Sequence, residues 1–177
     1  MAATKRLIEM VNICECITPV DFTTAANTGD WVSLKHYTGV LIVVHTSIGT
    51  QGQDPDITVE QATDVSGSGN KALNIVEGFD KVGATTIPNG VWTRTSSSDN
   101  TFENLASAEN AHILAIDIQI DMLDISGGYD CVQCSVADVG ANTQLGSAIY
   151  IMYGPRIEGK PDAGGSTPIR MASPLVD

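Results

Sequence analysis

Length, composition and charge limit what this chain can do. It has 177 residues, of which 42% are hydrophobic and 17% charged, and a formal net charge of -12. This length suits one domain, or one domain with arms, and the hydrophobic share is sufficient for a folded core. The acidic balance disfavours nucleic-acid phosphates and anionic lipid, because both are bound by basic surfaces. We therefore expect neither nucleic acid nor a membrane as a partner.

The first residues carry no clear export or membrane signal. No window holds about eighteen uninterrupted apolar residues, so no transmembrane helix is expected. Lys5 and Arg6 resemble the basic start of a signal peptide, but Glu9, Asn12 and Glu15 interrupt the apolar stretch that must follow. We expect synthesis in the cytoplasm, where cysteines are by default reduced and partly buried.

Residues 1–30 have a mixed pattern. The residues at helical spacing are Leu7, Met10, Val11 and Cys14, and those that would suit a strand are Leu7, Glu9, Val11 and Ile13. Pro19 is expected to end the segment. We favour an N-terminal arm or short helix for residues 1–30.

Between residues 31 and 153 the pattern changes to short strands separated by turn signals. Two of the predicted strands begin at Trp31 and at Ile57. The other predicted strands cover residues 39–48, 72–76, 91–95, 113–120, 131–136 and 148–153. Residues 39–48 are apolar on both faces, which predicts a central strand covered on both sides. Residues 113–120 alternate between isoleucine and polar side chains, as in a half-buried antiparallel strand. Residues 96–110 are polar and are predicted to form a surface loop.

The composition changes again after residue 153. Residues 154–177 hold four prolines and four glycines, and proline removes the N–H donors that an interior strand needs. We predict an extended C-terminal arm over residues 154–177. The whole pattern predicts a mostly β protein, with an antiparallel β-sandwich or jelly-roll-like domain at 31–153 and extended arms at both ends.

Four cysteines are the first candidates for chemistry. They are Cys14, Cys16, Cys131 and Cys134, and four thiolates could bind zinc. Residues three apart in a strand point to opposite faces, so the last two would diverge. We therefore favour structural thiols over a metal site, with a disulfide between the two cysteine pairs as a minor alternative.

A glycine-rich loop and three histidines are the next candidates. Residues 66–71 lack both the four-residue gap and the Lys-Ser/Thr ending of the phosphate-binding P-loop, so a flexible hairpin loop is the preferred interpretation. The histidines are His36, His45 and His112, and the sequence has no Gly-x-Ser-x-Gly motif whose serine a histidine could activate. Nothing in the sequence places a serine or cysteine beside them. We expect no catalytic residue and no cofactor.

Acidic and aromatic residues complete the candidates. The acids that cluster in sequence are Asp117, Asp121, Asp124 and Asp130. Asp117 and Asp121 are expected on the solvent-exposed face of a strand. Asp124 lies in a turn and could bind a cation, but Gly127 and Gly128 account for the turn without one. Aromatic residues make up only 5% of the chain, so Trp31 and Trp92 are interpreted as core or interface residues rather than sugar-stacking platforms.

Four segments carry a family resemblance. They are residues 29–37 (GDWVSLKHY), 57–73 (ITVEQATDVSGSGNKAL), 123–132 (LDISGGYDCV) and 148–156 (AIYIMYGPR). In this order they resemble a family of small virion proteins of tailed bacteriophages, often encoded among capsid genes. These are fold-pattern motifs rather than catalytic ones. The resemblance covers about residues 29–156 and leaves both ends unmatched.

The resemblance implies a function. It implies a β-rich capsid decoration or cement protein on the virion surface, with no cofactor and with the major capsid protein as partner. By analogy it also implies a homo-oligomer, with a trimer as the first expectation. The alternatives are a tail or head–tail joining protein and a carbohydrate-binding or adhesin module. An enzyme is disfavoured because no nucleophile, base and orienting group can be assembled from the sequence.

Overall fold

The computed structural model describes seven stretches of the chain. They are residues 6–50, 55–74, 77–83, 91–97, 99–102, 110–137 and 143–155. In chain order the strands are β1 (Val11–Asp21), β2 (Asn27–Thr28), β3 (Val32–Ser33), β4 (Gly39–Thr46), β5 (Ile57–Ala62), β6 (Lys71–Ala72), β7 (Gly78–Gly83), β8 (Thr93–Thr95), β9 (Thr101–Phe102), β10 (Ala111–Gln119), β11 (Cys131–Val136) and β12 (Leu145–Tyr153). Three short 3-10 helices cover Leu7–Glu9, Ile120–Met122 and Ile125–Gly127.

The strands form two antiparallel sheets that pack face to face. The first sheet has the order β1-β12-β4-β10-β7-β8, and the second has the order β2-β11-β5-β6, with β3 also paired to β11 and β9 to β5. The predicted antiparallel β-sandwich is confirmed. When β3 and β7–β9 are left out, eight strands remain. Their order, β1-β12-β4-β10 in the first sheet and β2-β11-β5-β6 in the second, is that of a jelly roll.

The core lies between the two sheets and is apolar. The first sheet contributes Ile17, Val40, Ile42, Val44, Leu114, Ile116, Ile118, Ala148, Tyr150 and Met152. The second sheet contributes Val32, Ile57, Val59, Phe102, Val132, Cys134 and Val136. Burial of each large side chain of this kind stabilises the fold by about 1.5–3 kcal/mol. The alternation predicted for β10 and β11 therefore sets which side chains enter the core.

The N-terminal segment differs from the expected arm. A 3-10 turn covers Leu7–Glu9, but residues 11–21 form β1, which pairs with β12 at the edge of the first sheet. Pro19 does not end the strand, because it lies on an edge where the pairing register shifts between Ile17 and Val20. The folded domain therefore begins before residue 31.

Two further expectations need correction. Strand β4 is central, as predicted, but only one of its faces is covered by the described part of the chain: Leu41 and Val43 are half-buried and His45 is exposed. The polar stretch 96–110 was predicted to be a surface loop, yet it contains β9, whose Phe102 is fully buried. Residues 156–177 lie outside the described residues, so the C-terminal arm stays a prediction.

Candidate interaction surface

The outer face of the first sheet carries a continuous apolar row. Pairing registers place six residues side by side on this face, one from each strand in sheet order: Glu15, Ile149, Val43, Ala115, Phe79 and Arg94. We call these six residues the outer row. Four apolar side chains thus lie between an acid at one edge and a base at the other.

Neighbouring levels of the same face extend the apolar surface. Ile13, Ile151 and Leu41 are in register on one side of the outer row, and Ile113 lies on the other. On this face Ile13 is 53% exposed, Ile149 38% and Phe79 40%. A contiguous apolar patch of this kind marks an interaction site more often than scattered single residues do.

The polar groups of this face are few and balanced. Asp117 is exposed on β10 and accepts a 2.7 Å hydrogen bond from the hydroxyl of Tyr153, whose ring crosses Gly39 to reach it. Burial of Tyr153 and this carboxylate raise the pKa of its hydroxyl. At the opposite edge, Lys81 lies 4.7 Å from the ring centre of Trp92. The face thus carries Glu15 at the β1 edge, Asp117 on the inner strand β10, and Lys81 and Arg94 on β7 and β8.

Cys16 and Cys134 are in contact, whereas Cys131 lies on the opposite face of β11. Cys134 lies in the core, while Cys131 is buried on the other face of β11, so the predicted divergence of these two residues is confirmed. Cys16 points to Cys134, with its Sγ 4.0 Å from the Cys134 carbonyl oxygen, and both are free thiols. The Cys16 side chain and complete burial raise the pKa of the Cys134 thiol well above its ordinary value. Cys14 is half-buried, and burial raises its pKa too. Among the described residues, no group of three or more His, Cys, Asp or Glu side chains is arranged to hold a metal.

The three histidines do not share a site: His45 and His112 lie on neighbouring strands but on opposite faces of the first sheet, and His36 lies in a turn. His36 is half-buried in the turn before β4, and His45 is exposed on the outer face of the first sheet. His112 is buried on the inner side of β10, with its Nε2 3.7 Å from a carboxylate oxygen of Asp80. Burial lowers the pKa of His112, and the nearby Asp80 carboxylate opposes that shift. The structure brings no two of these histidines together.

The glycine-rich loop is a hairpin loop between β5 and β6, as predicted, but it is held by its own side chains. The Asp64 carboxylate accepts hydrogen bonds from the backbone N–H groups of Ser66 (2.8 Å) and Ser68 (3.1 Å). Gly67 has φ 78°, and a Cβ there would meet the Trp31 ring at 2.5 Å. Because the two amides point to Asp64, they are not free to bind a phosphate.

The acidic cluster is also used within the chain. Asp124 accepts hydrogen bonds from Lys71 (2.7 Å), from the Ser126 hydroxyl (2.9 Å) and from the Gly127 N–H (3.0 Å). Lys71 in turn lies 3.8 Å from the centre of the Tyr129 ring. These contacts, led by Lys71, lower the pKa of Asp124. Lys71 of β6 therefore supplies the positive charge that faces Asp124 in this turn.

The remaining acids and the tryptophans lie on different surfaces. Asp121 is exposed in a 3-10 turn beyond the end of β10, and Asp130 lies beside Cys131, whose Sγ is 3.3 Å from the Asp130 carboxylate. Trp31 is half-buried beside the second sheet, and Trp92 is 43% exposed near β8. Neither tryptophan belongs to the core cluster, so the interpretation of these two residues as core residues is wrong.

Ile13, Phe79 and Ile149 were not predicted from the sequence to share one surface. A signal was present in the segment 148–153, AIYIMY, which is apolar at every position. A strand of an antiparallel sandwich needs only one apolar face for its own core. Apolar side chains on the second face therefore indicate a further contact.

Comparison with other proteins adds no assignment. No protein-family model matches the chain, and neither curated proteins nor solved structures give a significant match. Within the described stretches, no helix is both long and apolar enough to cross a membrane.

Proposed function

We propose that this chain is a structural virion protein of a tailed bacteriophage, which binds and stabilises the capsid as a decoration or cement protein. The observation that carries the structural role is the apolar outer face of the first sheet, which no described segment covers. A face of this kind is suited to protein contact rather than to chemistry on a small molecule. The phage assignment rests on the family resemblance of residues 29–156.

The fold supports this proposal by analogy. Jelly rolls occur in viral capsid domains, in lectins and in cupins, and fold alone assigns none of these functions. In this chain the space between the sheets is filled by packed apolar side chains. The scattered histidines and the internally bonded acids also favour a structural role over an enzymatic one.

A decoration protein acts through repeated weak contacts. Binding only to the assembled shell lowers the free energy of that state, and many identical contacts add through a high effective concentration. The net charge of -12 is suited to a basic patch on the capsid, which would also steer association. The Pro/Gly-rich residues 154–177 are suited to cross to a neighbouring subunit.

The test is binding to empty capsids of the phage that encodes the chain. Capsids are mixed with the full chain or with a variant that lacks residues 157–177, and bound protein is quantified after sedimentation. We expect the full chain to saturate the capsids and the truncated chain to lose at least about tenfold in affinity. The Glu60→Arg variant, altered on the outer side of the second sheet, controls for a general charge effect. No binding by the full chain would contradict the function, and undiminished binding by the truncated chain would contradict the role of the arm.

A second candidate function rests on one surface feature. Trp31 lines a shallow depression of about 310 Å³ together with Gly29, Asp30, Val65 and Gln133. An aromatic ring beside carboxylate and amide groups is suited to stacking and hydrogen bonding with a sugar. Glycan-array binding that is lost in Trp31→Ala but kept in Trp92→Ala would support a carbohydrate-binding module. Array binding that neither substitution changes would remove it.

A further inference from the structure

We propose that the outer face of the first sheet binds the same face of a second copy of the chain, about a two-fold axis parallel to the strands. The contact is made by the outer row, which runs from Glu15 on β1 to Arg94 on β8. The proposal stands independently of the capsid-binding function, because it rests only on the pairing registers, exposure and charges of this face.

The outer row is complementary to itself. A two-fold axis parallel to the strands, passing between β4 and β10, reverses the order of the strands in the second copy while keeping the level along them. Glu15 of one copy then lies opposite Arg94 of the other, Ile149 opposite Phe79, and Val43 opposite Ala115. Isologous contacts of this kind are the usual basis of homodimers. A two-fold axis perpendicular to the strands would instead place Glu15 against Glu15.

The local charge of the face also favours a second copy. The whole chain has a net charge of -12, so most pairs of surfaces on two copies repel each other. On this face, Glu15 lies on the edge strand β1, and Lys81 and Arg94 lie on β7 and β8 at the other side, while Asp117 lies between them on β10. The proposed axis brings Glu15 of each copy over the side of the other copy that carries Lys81 and Arg94. This arrangement gives two oppositely charged contacts in each dimer.

The size of the face is close to that of a stable interface. Five strand spacings of about 4.8 Å and about eight residues at 3.4 Å give a flat area of roughly 650 Å². Specific interfaces bury about 800 Å² per partner. The apolar centre and charged ends of the outer row follow the usual anatomy of an interface, with an apolar core and a polar rim. This geometry favours a two-fold dimer over the trimer expected by analogy.

The experiment measures the mass of the full chain by analytical ultracentrifugation over a range of concentrations. We expect the wild type to shift from one chain to two as its concentration rises. Glu15→Arg places two arginines opposite each other, and Arg94→Glu places two glutamates opposite each other, so each should raise the dissociation constant at least about tenfold. Glu60→Arg, on the other side of the sandwich, should leave it unchanged.

Two combinations restore the opposite charges. The double variant E15R/R94E exchanges the two charges and should regain the wild-type dissociation constant within about threefold. An equimolar mixture of the two single variants should form a heterodimer, because both arginines of the first variant then lie opposite glutamates of the second. Arg94 also forms an ion pair with Glu77 in its own chain, so the rescue of Glu15→Arg by Arg94→Glu is the decisive comparison.

Several outcomes would overturn the proposal. A wild type that stays monomeric at every concentration, or that forms a trimer, is incompatible with the two-fold contact. A dimer that tolerates both single reversals would place the interface elsewhere. If deletion of residues 157–177 turns a monomeric wild type into a dimer, that segment of the same chain is the occupant of the face and not a second copy.

Discussion

At the scale of single residues, Tyr150 joins the two sheets through its hydroxyl group. It extends from β12 into the core, where it is fully buried. Its hydroxyl accepts a 2.9 Å hydrogen bond from the N–H of Cys134 and donates a 3.0 Å hydrogen bond to the carbonyl of Asp30. Both partners belong to the part of the chain that forms the second sheet. One hydroxyl therefore satisfies the buried N–H of Cys134 and also bonds to the carbonyl of Asp30.

The Tyr150→Phe substitution tests this connection. It removes only the hydroxyl and leaves the buried N–H of Cys134 unsatisfied, so we expect the free energy of unfolding to fall by about 1–3 kcal/mol. Urea denaturation followed by fluorescence measures the change. The control is Tyr129→Phe, whose hydroxyl donates to the exposed carbonyl of Gly69 and which should cost less than about 0.5 kcal/mol. Equal losses in the two variants would contradict the bridging role.

Some residue environments follow from the sequence and others do not. Period-two alternation correctly placed Cys131 and Cys134 on opposite faces of β11, because side-chain direction in a strand depends only on the position along it. The partners of Tyr150 could not be predicted in this way. Asp30 is 120 positions away along the chain, and only the packing of the two sheets brings it near.

At the scale of elements, regular alternation decides how well a strand can be predicted. β5 and β11 match their predicted positions because apolar residues recur at every second position over most of each strand, as at Ile57 and Val59 and at Val132, Cys134 and Val136. β1 does not alternate in this way, since the register shifts after Glu15 and places the consecutive residues Cys16 and Ile17 in the core. A bulge of this kind interrupts the period of two along a strand. The residues at helical spacing before it, Leu7 to Cys14, span the end of a 3-10 turn and the start of β1.

The outer surface is harder to predict than the core for a different reason. The apolar segment 39–48 indicated a strand with two apolar faces, and the structure places it at the centre of a sheet. The same apolar pattern is expected whether the second face is covered by the same chain or by another one, so the sequence does not distinguish the two cases. Only the arrangement of the described strands shows that no described segment covers the face with Leu41 and Val43.

Two neighbouring valines of β4 provide a matched test of this difference. Val44 is 1% exposed in the core, whereas Val43 is half-buried on the outer face. We expect Val44→Ala to lower the free energy of unfolding by about 2–3 kcal/mol, and Val43→Ala to lower it by less than about 1 kcal/mol. Urea denaturation at a concentration where the chain is monomeric isolates the effect on the fold. A larger loss for Val43→Ala would mean that the outer face is covered within the chain.

At the scale of the whole molecule, the two ends of the folded domain depend on each other. β1, near the start of the described chain, pairs with β12, its last strand, and β12 then pairs with β4. Local sequence patterns predict the existence of these strands but not their order, because the order follows from long-range packing. The fold class could therefore be predicted from the sequence, whereas the sheet edges and the outer row could not.

Buried and hydrogen-bonded ionisable groups make the stability of the whole molecule depend on pH. Burial lowers the pKa of His112 below its ordinary value of 6.5, so below that pH the unfolded chain binds more protons and stability falls. Hydrogen bonds, led by those from Gln144, Ser68 and Lys71 respectively, lower the pKa values of Asp21, Asp64 and Asp124. Stability therefore falls further as the pH drops below about 4, where these carboxylates become protonated.

At alkaline pH, stability falls as the pH rises, because two buried groups have raised pKa values. The pKa of Cys134 is raised by its contact with Cys16 and by burial, and that of Tyr150 chiefly by burial. Above their ordinary values of 9.0 and 10.0, the unfolded chain releases protons that the folded chain retains, so stability falls as the pH rises. The folded state is consequently most stable between about pH 6.5 and pH 9.

The His112→Gln variant separates the loss of stability that His112 causes on acidification from the loss that the carboxylates cause. We expect the free energy of unfolding of the wild type to decrease between pH 7 and pH 5, and that of the variant to change less over the same interval, because glutamine does not titrate. Both chains should still lose stability below about pH 4, where the carboxylates titrate. Urea denaturation at one fixed protein concentration measures the curves, since self-association would otherwise shift them. A wild-type curve that is flat from pH 7 to pH 5, or a variant curve just as steep, would show that His112 is not held neutral in the folded chain.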